Sequence, residues 1–99
     1  MDVIFADEHL DRLEADEDEK TRLDKGVVRS YREAMRLIRD ANDERDIRYI
    51  FGPKNFYPLQ GDRSHQHAMR LNRQWRLIIE IQKSKPKNKI RVVAIEDYH

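Results

Sequence analysis

Apolar residues recur at two different periods along the chain, and the change of period separates a helical part from a strand part. Over residues 25–42 they lie three or four positions apart, which predicts an amphipathic helix with one buried stripe. The stripe consists of Val27, Val28, Tyr31, Ala34, Met35, Leu37, Ile38 and Ala41. Before it, Leu10 and Leu13 predict a short helix with Asp7 as its N-cap. The apolar run Val3-Ile4-Phe5 predicts a short edge strand at the start.

The second half alternates between apolar and polar residues, as strands do. Residues 55–59, 66–72, 75–82 and 89–97 show this alternation and are joined by short polar links, which predicts an antiparallel meander. Strict alternation places Trp75, Leu77, Ile79 and Ile81 on one face of their strand. In the last strand it places Ile90, Val92 and Ala94 on one face, and Val93 and Ile95 on the other.

Two links between these segments can be interpreted from their turn residues. Asn72-Arg73 predicts a tight turn between two strands. Residues 42–55 contain Gly52-Pro53 and predict an irregular connection, with room for a helical turn through Ile47 and Ile50.

This order of elements predicts an α+β fold in a single domain spanning residues 1–99. A short N-terminal strand and two helices would pack on one face of a C-terminal antiparallel sheet of about four strands. Because 38% of residues are hydrophobic and 39% are charged, the core must be concentrated in the patterned segments. The chain has no cysteine, which excludes disulfides, thiolate metal sites and a cysteine nucleophile. No apolar run approaches the roughly 18 residues of a membrane span, so we expect a cytoplasmic protein.

The net charge of +1 hides a strong asymmetry between the two halves. Residues 1–50 carry 15 acidic and 10 basic residues, whereas residues 51–99 carry 4 acidic and 10 basic residues, so the halves differ in net charge, −5 against +6. A basic half of this kind indicates a nucleic-acid partner, because Lys and Arg displace the counterions condensed on phosphates. Four of the ten basic residues lie in the lysine-rich segment over residues 83–89, which can be explained as a solvated hairpin loop. This explanation does not apply to the arginines.

The arginines of the predicted strands can converge on the sheet face that the helices leave open. Alternation directs Arg70 and Arg76 away from their apolar neighbours. A guanidinium donates two parallel hydrogen bonds to a phosphate, and a histidine exchanges a proton near neutral pH. Arginines together with Tyr98 and His99 could therefore cleave RNA without a metal, by 2′-hydroxyl attack on the adjacent phosphate. Strand arginines are also common as plain salt-bridge partners, so residue types alone leave this open.

Five short motifs of this sequence are similar to motifs of a known protein family. They are Leu59-Gln60-Gly61-Asp62-Arg63, Gln66-His67, Arg70-Leu71-Asn72, Gln74-Trp75-Arg76-Leu77 and Ile95-Glu96-Asp97-Tyr98-His99. In order and spacing they resemble the HigB branch of the RelE-like toxins. The resemblance is strong over residues 56–99 and looser over the helical half. It implies the toxin of a bacterial type II toxin–antitoxin pair, an endoribonuclease that cuts mRNA on the ribosome without a cofactor, and a helix-turn-helix antitoxin (HigA-like) as its partner.

The resemblance also assigns candidate site residues. The family's acidic-tyrosine-histidine set falls on Asp97, Tyr98 and His99, and its basic positions fall on Arg63 and Arg76, which together form the expected catalytic set. The expected RNA contacts are Arg70, Arg73, His67, Tyr57 and Lys54. A metal site at His65 and His67 is the weaker alternative, because no third ligand follows from the spacing.

Two departures from the family pattern keep other functions open. Tyr57 stands before Pro58-Leu59 where some members have histidine, and Gln60 stands where lysine is common. These departures leave His99 as the main candidate for proton transfer. The alternatives are a non-enzymatic ParE-like inhibitor of DNA gyrase and a catalytically weak relative that mainly binds its antitoxin.

Overall fold

The computed structural model describes residues 1–98, and contains three helices and five strands. In chain order these are β1 (Val3–Phe5), α1 (Glu8–Ala15), α2 (Lys25–Asp40), α3 (Glu44–Phe51), β2 (Phe56–Pro58), β3 (Gln66–Arg70), β4 (Trp75–Gln82) and β5 (Lys89–Asp97). A 3₁₀ turn at Gly61–Arg63 lies between β2 and β3. None of the helices within residues 1–98 is long and apolar enough to cross a membrane.

All five strands form one mixed sheet in the order β1-β5-β4-β3-β2. The four C-terminal strands pair antiparallel, and β1 adds a fifth, parallel strand beside β5. This confirms the predicted α+β fold with its short N-terminal strand at the sheet edge. The helical layer holds one helix more than predicted.

The additional helix, α3, occupies the segment that the sequence pattern predicted to be an irregular connection. Its start is capped by Asp43, whose side chain accepts a hydrogen bond from the Arg45 backbone N–H at 2.8 Å. Its end is set by Gly52, which adopts a φ of 77°, a conformation open to glycine and strained for other residues. These two caps stabilise a helix of 8 residues, where the apolar spacing had predicted at most a helical turn through Ile47 and Ile50.

The helices cover one face of the sheet and enclose the core there. Tyr31, Met35 and Ile38 of α2 are fully buried against this face, and Ile47 anchors α3 to it. The strands contribute Phe56, Met69, Leu77, Ile79, Ile90 and Val92, and Leu71 joins them from the connection after β3. Within residues 1–98, the opposite face of the sheet carries no helix.

A bulge in β5 changes which of its side chains face the core. Ile79 pairs with Val92 but its neighbour Ile78 pairs with Ala94, so Val93 has no partner on β4. One extra residue reverses the alternation beyond it. The prediction that Ala94 shares the face of Ile90 and Val92 is therefore wrong: Ala94 lies on the open face, and Ile95 packs against the core.

Tyr31 joins α2 to α1 through a buried hydrogen bond. Its hydroxyl donates to the Leu10 carbonyl at 2.7 Å, and its side chain is fully buried. Burial raises the pKa of the Tyr31 phenol far above its ordinary value, so the hydroxyl keeps the proton that it donates.

Replacing Tyr31 with phenylalanine should destabilise the fold by about 1 kcal/mol, because the buried hydrogen bond is lost without a change in shape. Urea unfolding of the purified protein measures this. Tyr49→Phe is the matched control, since Tyr49 is 90% exposed. Equal free energies of unfolding for both variants and the parent would contradict the importance of this link.

Candidate functional site

Residues paired across the strands form three rows on the open face of the sheet. The first row is Arg70, Arg76 and Glu96; the second is Tyr57, Ala68, Ile78 and Ala94; the third is Gln66, Glu80 and Arg91. The alanines of the second row are short, whereas the first and third rows carry long polar side chains. A depression therefore lies over Ala68 and Ile78, beside the long side chains of the first row.

The depression forms a cleft of about 180 Å³. Its lining residues are Tyr57, Leu59, Arg63, Ala68, Arg76, Ile78, Glu96, Asp97 and Tyr98. Five of the residues that the sequence assigned to the site, Tyr57, Arg63, Arg76, Asp97 and Tyr98, are thus brought together from four different parts of the chain.

Arg76 is held in the cleft by neutral groups. Its Nη1 donates to the Asn72 carbonyl at 2.6 Å, and its Nε donates to the Tyr57 hydroxyl at 3.2 Å. Its Cζ lies 4.2 Å from the centroid of the Tyr98 ring, a cation–π contact. None of the salt bridges within residues 1–98 involves Arg76. The guanidinium group of Arg76 is therefore held in a fixed orientation, and no acidic residue within residues 1–98 forms a salt bridge with it.

Arg63 also lines the cleft, but unlike Arg76 it is paired with a carboxylate. Its Nη2 donates to Glu96 Oε2 at 2.8 Å, and its Nε donates to Gln66 Oε1 at 2.9 Å. The guanidinium thereby connects the 3₁₀ turn to β3 and β5. A planar group held at two of its nitrogens keeps a fixed orientation toward a ligand.

The C-terminal residues are fixed to the β3–β4 connection by Gln74. The Tyr98 backbone N–H donates to the Gln74 carbonyl at 2.6 Å, and Gln74 Nε2 donates to Asp97 Oδ2 at 3.0 Å. Tyr98 remains 60% exposed, and its ring covers Arg76. His99, the expected proton-transfer residue, lies outside the described residues.

The remaining basic residues expected to contact RNA lie at one end of the sheet. Arg70 faces Arg76 across β3 and β4, and its Nε donates to the same Asn72 carbonyl at 3.3 Å. Arg73 is exposed in the β3–β4 connection, and Lys54 is exposed between α3 and β2. Within residues 1–98 none of these three cations forms a salt bridge. This end of the open face is therefore basic.

His67 requires a correction, because it does not lie on the open face. It pairs with the core residue Ile79 and stacks on Phe56, with ring centroids 5.0 Å apart. Its Nδ1 is buried without a hydrogen-bond partner within the described structure. Because His67 is inside β3, alternation directs it toward the helices. It cannot reach a ligand in the cleft from there.

The His65–His67 pair does not form a common face either. His65 precedes β3 and is exposed, and its Nε2 lies 3.6 Å from Glu80 Oε2 on the open face. Across residues 1–98 no cluster of three potential metal ligands is present.

Sequence reasoning missed two residues that organise the cleft. Glu96 belongs to the C-terminal motif but received no predicted role, and uninterrupted alternation along the last strand would place it on the face of Ile90 and Val92. The bulge at Val93 brings it opposite Arg76. Asn72 was predicted only as a turn residue. Its side-chain Oδ1 accepts hydrogen bonds from the backbone N–H groups of Gln74 and Trp75, both at 2.8 Å, while its carbonyl holds two arginines. The sequence signal for this role was the position of Asn72 in the turn, four residues before Arg76 of β4.

The arrangement is suited to binding one phosphate group. Arg63 and Arg76 both line the cleft, and the hydroxyls of Tyr57 and Tyr98 add neutral groups that can form hydrogen bonds. The charges sit in a partly enclosed cleft with Ala68 and Ile78 buried beneath it. Such surroundings reduce solvent screening and strengthen the attraction for an anion.

The position of His67 predicts a loss of stability as the pH falls. Burial lowers the pKa of the His67 imidazole below its ordinary value of 6.5, and the nearby Arg48 cation lowers it further. As the pH falls below the ordinary pKa of 6.5, the unfolded chain binds a proton at His67 more readily than the folded chain does. The free energy of unfolding therefore decreases as the pH drops through 6.5. Replacing His67 with phenylalanine retains the stacking on Phe56 and removes the titration.

The free energy of unfolding of the parent should therefore fall between about pH 7.5 and about pH 5.5 by more than that of His67→Phe. Urea titrations at the two pH values measure the difference. If the parent and His67→Phe lose the same free energy of unfolding over this pH range, the assignment of His67 to the face covered by the helices is contradicted.

Comparison with known proteins identifies the fold but not a family. Neither a family model nor a curated protein sequence matches the chain. Among solved structures, the fold is similar to that of a YoeB/ParE toxin from Agrobacterium tumefaciens, with a TM-score of 0.63 and 18% sequence identity over 100% of both chains.

Proposed function

We propose that this chain is the toxin of a type II toxin–antitoxin pair, a HigB-like endoribonuclease of the RelE/ParE superfamily that cleaves mRNA on the ribosome in the cytoplasm. The observation that carries the proposal is the cleft on the uncovered sheet face, in which Arg63, Arg76 and Tyr98 converge. The fold shared with a YoeB/ParE toxin supports the coarser part of the proposal, a toxin with an antitoxin partner. The motif resemblance supports the finer part.

The charge distribution favours a polyanionic substrate. Arg70 and Arg76 face each other across two strands, and both donate to one carbonyl oxygen. Like charges placed directly opposite destabilise a sheet, and a bound phosphate relieves that repulsion. Lys54 and Arg73 extend the basic surface beyond the cleft, where the RNA strand on either side of the reacting phosphate needs contacts.

The proposed reaction uses the ribose 2′-hydroxyl as the nucleophile. It loses its proton, a bond forms between O2′ and phosphorus, and the bond between phosphorus and O5′ breaks as O5′ takes up a proton. Proton transfer is assigned to His99 assisted by Tyr98, with Asp97 completing the set. Arg63 and Arg76 meet the negative charge that grows on the phosphoryl oxygens. The products are a 2′,3′-cyclic phosphate and a 5′-hydroxyl.

The RNA contacts are assigned in part by position. Arg70, Arg73 and Lys54 keep the role expected from the sequence, whereas His67 does not, since it faces the helices. Tyr57 accepts a hydrogen bond from Arg76, so its first role is to orient that guanidinium. No residue is assigned to a cofactor.

The decisive experiment compares RNA cleavage by the parent with that by Arg63→Ala and Arg76→Ala. Each variant should lower the cleavage rate by about a hundredfold, because a charge aimed at the transition state is removed. Arg22→Ala is the control, since Arg22 is exposed in the loop between α1 and α2. Primer extension on cellular mRNA after induction, and on purified messages with and without ribosomes, gives the rates.

Each part of the proposal has its own contrary outcome. Intact transcripts together with a DNA-damage response would favour a gyrase inhibitor. Cleavage of free RNA as fast as ribosome-bound RNA would remove the dependence on the ribosome. A protein that binds its antitoxin but neither inhibits growth nor cuts RNA would be a catalytically weak relative.

The C-terminal residues should be as important as the arginines. His99→Gln should abolish most cleavage, because glutamine cannot exchange a proton near neutral pH. Tyr98→Phe retains the ring over Arg76 and removes the hydroxyl, so it should lower the rate by a smaller factor of about ten. Cleavage at the parent's rate by both variants would show that proton transfer is carried out elsewhere.

A further inference from the structure

We propose that Glu80 is a positioning residue, which orients Arg63 through Gln66 although Glu80 itself does not line the cleft. The catalytic consequence of this inference rests on the proposed function. The positioning itself can be tested in the free protein.

Arg63 depends on other side chains for its orientation. It belongs to a 3₁₀ turn of 3 residues, and 42% of its side chain is exposed. Gln66 Oε1 holds its Nε and Glu96 Oε2 holds its Nη2. These two bonds leave the Nη1 corner to meet a phosphoryl oxygen. The direction of that corner is correct only while both acceptors keep their places.

Gln66 is an acceptor for Arg63 only in one of its two amide orientations. The amide group has nearly the same shape after a half turn, but its oxygen accepts hydrogen bonds and its nitrogen donates them. If the amide turned over, an NH₂ group would face the Nε–H of Arg63, and the two donors would repel each other. The Arg63 Nε–H favours one orientation, and an acceptor that faces the Gln66 nitrogen on the far side would add to that selection.

Glu80 provides that selection. Its Oε2 accepts a hydrogen bond from Gln66 Nε2 at 3.2 Å, and an ionised carboxylate has no proton to donate to the amide oxygen. Glu80 is itself fixed by Arg91, whose Nη1 donates to Glu80 Oε1 at 3.1 Å. Only 18% of the Glu80 side chain is exposed, so the link is partly shielded from water.

The register of the sheet makes this a direct relay across three strands. Gln66 lies opposite Glu80, and Glu80 lies opposite Arg91. The polar contacts run from Arg91 through Glu80 and Gln66 to Arg63, where the cleft begins. A salt bridge between Glu80 and Arg91 that served stability alone would give Arg63 no dependence on Glu80.

The test follows the Nε–H signal of Arg63 in ¹H–¹⁵N NMR spectra of the free protein, assigned by its loss in Arg63→Lys. Glu80→Leu should shift this signal and speed its exchange with solvent, although Glu80 does not touch Arg63. Glu80→Gln retains one acceptor oxygen and should produce a smaller change in the same direction. It also serves if Glu80→Leu fails to fold.

Glu14→Leu is the matched control. Glu14 holds the Nε and Nη2 of Arg39 on the helical side, both at 2.7 Å. This variant should change the Arg39 signal and leave the Arg63 signal in place. An unchanged Arg63 signal in both Glu80 variants overturns the proposal, whatever their effect on cleavage.

Kinetics on ribosome-bound mRNA provides the functional readout. Glu80→Leu should lower kcat on the order of tenfold with a smaller change in KM, because a misdirected Arg63 loses transition-state contacts rather than substrate binding. Glu14→Leu should cleave as the parent does. A changed Arg63 signal with unchanged kcat would support the positioning and overturn the catalytic role of Arg63, so the two failures can be distinguished.

Discussion

The extra residue in β5 is the constraint on which the open face depends. A strand places alternate side chains on opposite faces, so one unpaired residue at Val93 exchanges the faces of every residue that follows it in the strand. Ile95 thereby completes the core, and Glu96 reaches the cleft where Arg63 pairs with it. Without the bulge a carboxylate would be directed at the helical layer. Both the core and the cleft therefore require it.

The two faces of the sheet divide the work of stability and binding. On the covered face, apolar side chains from all three helices exclude water, and the Tyr31 hydroxyl satisfies its hydrogen bond inside that layer. On the open face, Ala68 and Ile78 form the floor of a cleft that is bordered by longer polar side chains. A rigid, well-packed layer behind the cleft keeps the polar groups in front of it at fixed distances.

The arginines of the open face fall into two groups according to their partners. Arg63 and Arg91 are neutralised by Glu96 and Glu80, and they belong to a network that sets directions. Arg76 donates hydrogen bonds to a carbonyl and a hydroxyl and lies over the ring of Tyr98. Within residues 1–98, neither Arg76 nor the basic residues at the same end of the sheet form a salt bridge with an acidic residue. The carboxylates thus fix the orientation of Arg63, and the arginines without an acidic partner add positive charge that favours a polyanionic ligand.

The sequence by itself determined the elements with strong periodicity, which are α2 and the four C-terminal strands, and with them the α+β class. The reason is that a buried apolar stripe or face repeats at the period of the helix or the strand. The motif resemblance assigned Arg63, Arg76 and Tyr98 to one expected site, and these three residues line one cleft. Only the tertiary structure decided what depends on pairing between distant segments: the helix that caps at Asp43 and Gly52, the side of the sheet that His67 faces, and the carboxylate that meets Arg63. A bulge leaves no mark in local periodicity, since its position is fixed by the neighbouring strand. For the same reason, the role of Glu96 became visible only in the folded chain.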